Sequence, residues 1–169
     1  MAAGPSGAAL DATNAGPVDP MYRRQIVPNT SSYAPGTVVV DTGKRFLYLA
    51  QADGTAIRYG VGVGREGFSW KGTARVGRKA EWPDWRPPAE MLKRQPELPT
   101  YVAGGPDNPL GARALYLYKG DRDTLFRIHG SNEPWTIGQA VSSGCIRMTN
   151  ADVEDLYERV PRNATVIVL

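Results

Sequence analysis

The sequence predicts a mainly β fold with mostly antiparallel strands. Three observations carry this reading. Short runs rich in Val, Ile, Tyr, Phe and Leu recur along the chain: TVVVD, RFLYLAQ, AIRYGVGVG, ALYLYK and TLFRIHG. Clusters of turn residues separate them, and Asp53-Gly54 between two such runs is a strong hairpin signal. The strongest helical period is confined to one short segment near the end.

Taken in order, residues 1 to about 20 are rich in Ala, Gly, Pro, Ser and Asn without periodicity, and read as a flexible tail. Met21 to Pro35 reads as a lead-in over the surface, so residues 1–34 fall outside the domain proper and 35–169 form it. The strand series then begins at Thr37, with turns at Asp41 to Lys44, Ala52 to Thr55 and Lys119 to Arg122. Phe68 to Pro109 holds three of the four tryptophans, many prolines and few strand signals. It reads as a long loop region, the type of segment that forms a lid or binding wall. Within it, Pro87-Pro88 before AEMLKRQ can start a short helix, since proline is tolerated in a first turn. The stronger helix is TNADVEDLYERV. Thr149 is a good N-cap, Asp152 stands three residues on, and Val153, Leu156, Tyr157 and Val160 share a face. Pro161 should stop it, and Thr165 to Leu169 should be a closing strand.

Composition bounds the function. A chain of 169 residues fits one domain, and 41% hydrophobic with 22% charged residues is ordinary for a globular protein. No apolar run approaches a membrane span. The net charge of +3 is scattered, without the basic run of a nucleic-acid tail. One cysteine forbids an internal disulfide. That suits the cytosol, or an oxidising compartment in which a reactive thiol must have no neighbour to pair with. The start, MAAGPSGAAL, lacks the charged and apolar regions of a leader, which fits either a cytosolic protein or a mature chain with a methionine restored.

Several motifs compete as the site. Gly62-Val-Gly64-Arg-Glu-Gly67 matches the dinucleotide pattern G-x-G-x-x-G, but such a site needs a helix N-terminus directly after the glycines. Here FSWKGTARVGRK follows, with no helical period, so the glycines read as bends in sheet strands. One histidine and one cysteine cannot supply a zinc site without two carboxylates, so no metal and no cofactor are expected. The serine-hydrolase elbow is absent. What remains is the chain's only thiol, Cys145, and its only imidazole, His129, sixteen residues apart. Cys145 follows Gly144 and precedes a helix cap, so it sits in a tight turn where backbone amides can converge. His129 ends the alternating run LFRI, at a strand end. A thiol beside an imidazole can become a thiolate nucleophile, so Cys/His acyl transfer stands open beside the alternative of a small buried cysteine and a merely hydrogen-bonded histidine.

These residues also carry a resemblance. HGSNEPWTIGQAVSSGCIRMTNADVEDLY is similar to the signature of the L,D-transpeptidase catalytic domain, the YkuD-like family: a histidine, a spacer of about this length, then Ser or Thr, His, Gly, Cys, an apolar residue and Arg or Asn. GGPDNPLGARALYL, residues 104 to 117, resembles a second stretch typical of the bacterial envelope members. The resemblance implies a β-sandwich catalytic domain with one or two short helices. It implies no cofactor, and peptidoglycan stem peptides as partners. A cysteine thiolate attacks the carbonyl of the diamino acid at the third stem position, terminal D-Ala leaves, and an amine takes the acyl group from the thioester. Another stem as acceptor gives a 3-3 cross-link, water gives carboxypeptidase activity, and some members attach an outer-membrane protein.

Carried onto this sequence, the resemblance makes Cys145 the nucleophile and His129 the base, with the carbonyl of Gly130 orienting the imidazole. The amides of Ser143, Gly144 and Cys145 would form the oxyanion hole. Arg147 would face substrate, with a structural ion pair as the alternative, and Asn132 and Trp135 would help bind substrate. Trp135 and the Trp70 to Pro109 region would wall the acceptor site. The chain departs from the pattern at Ser143, where the family has a second histidine. Stem peptides lie outside the cytoplasmic membrane, so a periplasmic enzyme with its leader removed is expected. Two rivals stay open: a hydrolase on the same scaffold, and a non-catalytic wall-binding module. A carbapenem adduct on Cys145 would argue against the second.

Overall fold

The structure, a computed structural model, describes residues 18–65, 70–142 and 144–169. The expected tail up to residue 17 lies outside them, as does Ser143. A 3-10 turn at Pro20–Tyr22 leads into β1 (Gln25–Pro28). Three strands follow as a meander: β2 (Val38–Asp41), β3 (Phe46–Ala50) and β4 (Thr55–Gly60). The β3–β4 turn is the Asp-Gly hairpin. Asp53 Oδ1 accepts from the Thr55 N–H at 3.1 Å and the Thr55 hydroxyl at 2.6 Å. After β5 (Val63–Gly64) come β6 (Gly72–Glu81), a short helix α1 (Ala89–Arg94), β7 (Arg113–Lys119) and β8 (Arg122–His129). The last part holds β9 (Ala140–Ser142), β10 (Ile146–Arg147), helix α2 (Asn150–Arg159) and β11 (Thr165–Val168).

Among the described residues nine strands join in one sheet, in the order β1-β4-β3-β2-β11-β6-β7-β8-β10, while β5 and β9 pair separately. Most pairs are antiparallel, but β11 runs parallel to β2, and β10 runs parallel to β8. The sheet curls back on itself. Gly62, just past β4, forms an antiparallel bridge to Arg147 in β10 through two backbone hydrogen bonds of 2.9 Å. The two halves thus face each other across one core. Val38, Val40, Leu47, Leu49 and Tyr59 from one half meet Leu115, Leu117 and Ile128 from the other. This is the sandwich arrangement expected.

Helix α2 closes the core next to β7 and β8. The Thr149 hydroxyl caps it by accepting from the Asp152 N–H at 3.2 Å, and Val153 and Leu156 are fully buried. Each such apolar side chain stabilises by about 1.5–3 kcal/mol on removal from water. Tyr59 donates to Asp155 at 2.8 Å and ties the helix to β4, while Arg24 reaches the same carboxylate at 3.2 Å.

The longest element not legible in the sequence is a strand; the short β1, within the segment read as a lead-in, and β9 and β10 were not legible either. The segment read as loop contains β6, a ten-residue strand. Its inner face shows only Ala74 and Val76 as buried positions. Its other face is basic, and the cations rest on the aromatic rings of β7: Arg75 over Tyr118 at 5.5 Å and Arg78 over Tyr116 at 4.6 Å. Glycines and arginines in place of β-branched residues removed the strand signal, while the tyrosines opposite supplied the packing.

Asn150, the first residue of α2, fixes the segment after β8. Its Oδ1 accepts from the Ala112 N–H at 3.0 Å and the Ser131 N–H at 3.2 Å. The fit around it is tight, since a Cβ on Gly130 would stand 2.3 Å from that oxygen. Asn150→Ala strands both donors, so it should cost about 2 kcal/mol and lower Tm by roughly 4–8 °C. Asn150→Asp keeps the acceptor and should recover most of the loss; thermal unfolding of the three proteins checks this.

Candidate active site

Strand β8 carries Leu125, Arg127 and His129 on one face, because side chains alternate along a strand. All three line a cavity of about 570 Å³. Cys145, Ser142 and Arg147 reach it from the β9–β10 turn, and Asp84, Trp85, Arg86 and Met91 wall it from the segment around α1. The chain's one thiol and one imidazole therefore face the same space. What joins them is the parallel pairing of β10 with β8, which sets Ile146 beside Ile128 and Arg147 beside His129.

His129 is 5% exposed, and its Nδ1 lies 2.5 Å from the carbonyl oxygen of Gly130. A carbonyl oxygen can only accept, so the proton sits on Nδ1 and the Nε2 lone pair is free. Burial pushes the imidazole pKa down from the ordinary 6.5 to about 4. The bond to Gly130 works the other way, and the guanidiniums of Arg147 and Arg127 add to the lowering. Cys145 keeps partial exposure, yet burial is the largest influence on its thiol and pushes the pKa up. The Arg127 backbone pulls it down, as do the charges of Arg127 and Arg147. At neutral pH the resting pair is a neutral thiol and a neutral imidazole.

The turn that presents Cys145 is pinned by Ser142. Its hydroxyl donates to the Cys145 carbonyl at 2.7 Å and accepts from the Gly144 N–H at 3.2 Å. Gly144 sits at φ +126, where an L side chain would be strained, so glycine here is required by the backbone. The Gly144 N–H therefore has the Ser142 hydroxyl as its acceptor in this structure. Ser143 lies outside the described residues.

The other expected site residues divide. Arg147 lines the cavity and also donates to Glu133 at 3.0 Å, so it both faces the cavity and makes an ion pair. Asn132 and Trp135 are not brought to the cavity. Asn132 is exposed and donates to the Asp107 carbonyl at 3.1 Å, and Trp135 is 51% exposed on a 3-10 turn. The residues around α1 wall the cavity without Trp135. Ser142, Arg127, Tyr116 and Arg78 were missed. The period of two along TLFRIH would have found Arg127 beside His129; nothing in the sequence marks Tyr116 or Arg78. Gly62 and Gly64 fall in a strand bridge and in β5, and the next described element is the strand β6, not a helix. Among the described residues no cluster of His, Cys, Asp or Glu could hold a metal ion, and no helix is long and apolar enough to cross a membrane.

Comparison with known proteins sharpens this geometry. The family model of the L,D-transpeptidase catalytic domain, YkuD, matches residues 35–168. A probable L,D-transpeptidase of Escherichia coli K12, YbiS, is 36% identical over 144 residues, 80% of this chain and 44% of that protein. The chain thus spans under half the length of that relative. A Brucella melitensis structure named as a probable carnitine operon oxidoreductase is 49% identical, with TM-score 0.61 over 85% of this chain and 91% of that one. An Enterococcus faecium L,D-transpeptidase shares the fold at 15% identity, with TM-score 0.63 over 80% of this chain and 50% of that one.

The buried imidazole has a thermodynamic consequence. Its folded pKa of about 4 lies below the ordinary 6.5, so the unfolded chain binds the proton first. Its contribution to stability is whole above about pH 6.5 and is lost as the pH falls toward 4. The lost increment approaches ~3 kcal/mol. Denaturant unfolding of the parent and of His129→Gln across this range should show a steeper acid loss in the parent. Parallel curves would mean the ring protonates freely.

Proposed function

Because the chain belongs to the L,D-transpeptidase catalytic domain family, we propose that it is a peptidoglycan L,D-transpeptidase acting through a thioester on Cys145. The observation that carries this reading is the convergence of Cys145 and His129 on one cavity, with His129 held by Gly130 in the tautomer a base needs. Envelope stem peptides as substrate place the enzyme in the periplasm.

The reaction follows from the resting state. Both partners are neutral, so the thiolate forms on attack. As the Cys145 sulfur bonds to the carbonyl carbon at the third stem position, its proton passes to Nε2 of His129. The Cys145 N–H stabilises the developing oxyanion. Collapse breaks the C–N bond to D-Ala, whose nitrogen takes the proton from His129. The acceptor amine then gives a proton to Nε2 and attacks the thioester. The new C–N bond forms, the C–S bond breaks, and the sulfur recovers its proton. An acceptor amine from a second stem yields a 3-3 cross-link; a protein amine or water uses the same steps. Ser143 in place of the family's second histidine leaves His129 as the only imidazole for every transfer. The non-catalytic reading has no matching observation. A wall-binding module does not need its one thiol and its one imidazole in one cavity.

The test is the mass spectrum of products after incubation with a purified tetrapeptide muropeptide, with Cys145→Ala as control. Loss of D-Ala with a dimer mass is the expected result. Tripeptide alone would make the protein a carboxypeptidase under those conditions. Turnover by Cys145→Ala would overturn the role of the thiol.

A further inference from the structure

The cavity beside Cys145 is lined by four arginines, Arg78, Arg86, Arg127 and Arg147, and one carboxylate, Asp84. Three of the arginines are committed. Asp123 holds Arg127 in a fork of 2.6 and 3.2 Å, and Glu133 holds Arg147 at 3.0 Å. Arg86 lies over the Tyr101 ring at 4.7 Å and 3.9 Å from Asp84. Arg78 differs. Among the described residues its guanidinium has no carboxylate partner, and it rests on the Tyr116 ring at 4.6 Å. The opposite partner of that ring is Arg127, also at 4.6 Å, so the tyrosine is held by two cations.

We propose that Arg78 is a specificity-determining residue, which binds a free carboxylate of the acyl donor and favours donors that carry one. The inference rests on the acyl-transfer reading above. Stacking uses the face of a guanidinium and leaves its in-plane N–H donors free, in the fork geometry that matches a carboxylate. The ring beneath removes much of the freedom an exposed arginine would lose on binding. A bound carboxylate also gives a direct ion-pair partner to the one lining arginine that makes no salt bridge among the described residues, Asp123 acting on it only as a more distant charge. A stem peptide offers two such groups near the scissile bond: the side-chain carboxylate of the third residue and the carboxylate of the terminal D-Ala.

Calorimetry on Cys145→Ala, with and without Arg78→Gln, tests this. Three tetrapeptide donors serve as probes: the free form, the form amidated on the third side chain, and the form amidated at the C-terminus. With Arg78 present, one amidation should weaken binding about fivefold, the scale of an exposed ion pair. With Arg78→Gln, that amidation should have no effect, and the affected donor identifies the carboxylate. Equal losses in both backgrounds, unchanged affinity of the free donor on Arg78→Gln, or no binding at all would overturn the proposal. Release of D-Ala by the parent enzyme is measured in parallel. Discrimination in binding without release would sink the acyl-transfer reading and leave the carboxylate site; release without discrimination would do the reverse.

Discussion

The candidate site depends on a parallel pairing only two residues long. Ile146 and Arg147 of β10 lie beside Ile128 and His129 of β8, and the Met148 N–H donates to the His129 carbonyl at 2.8 Å. On its far side, Arg147 pairs with Gly62. The strand that follows the thiol is thus clamped between the strand that ends in the imidazole and the far end of the curled sheet. Strand pairs this short are not stable alone. Here the core behind them provides the stability, since Ile128, Ile146 and Met148 are all buried. Helix α2 fixes the same region from the outside, through the two backbone donors that Asn150 accepts.

Burial then sets the chemistry. It disfavours every charged form, so it raises the thiol and lowers the imidazole. The two nearby guanidiniums do not act evenly. Arg127 and Arg147 favour the thiolate and disfavour the imidazolium. The cavity is therefore arranged for negative charge, whether on sulfur, on an oxyanion or on a substrate carboxylate. Asp123 and Glu133 temper this field by holding the same arginines.

The sequence made the strand series, both helices and the Asp53-Gly54 hairpin legible, because each follows local rules: alternation, capping and turn chemistry. Thr149 and Asp152 even stand in the cap geometry their types suggest. β6 was illegible because its packing is supplied by residues forty positions away: Arg78 needs Tyr116 to become a strand residue. β9 and β10 were illegible because runs of three and two residues carry no period. The same division holds in the site. Cys145 and His129 were marked by rarity and by their turns. The engagement of the Gly144 N–H by Ser142 was not, because a serine two residues away has many possible partners. Asn132 and Trp135 lie close to the motif in sequence, and nearness in sequence does not fix which way such a short connecting segment faces.

In the proposed mechanism a base whose pKa is pushed down to about 4 takes its proton from a thiol whose pKa is raised. The mismatch has a use in the second half of the step. In the proposed mechanism an imidazolium formed in this pocket would be a strong acid, so it would give its proton readily to the departing nitrogen and let the C–N bond break. The first half gains from coupling: the proton leaves sulfur only as the C–S bond forms, so a free thiolate is never required. In the proposed periplasmic setting this would carry a second benefit, because the thiolate is the species that oxidants attack. A nucleophile that stays protonated until a carbonyl arrives, in a chain with no second cysteine, is protected by the same burial that tunes it.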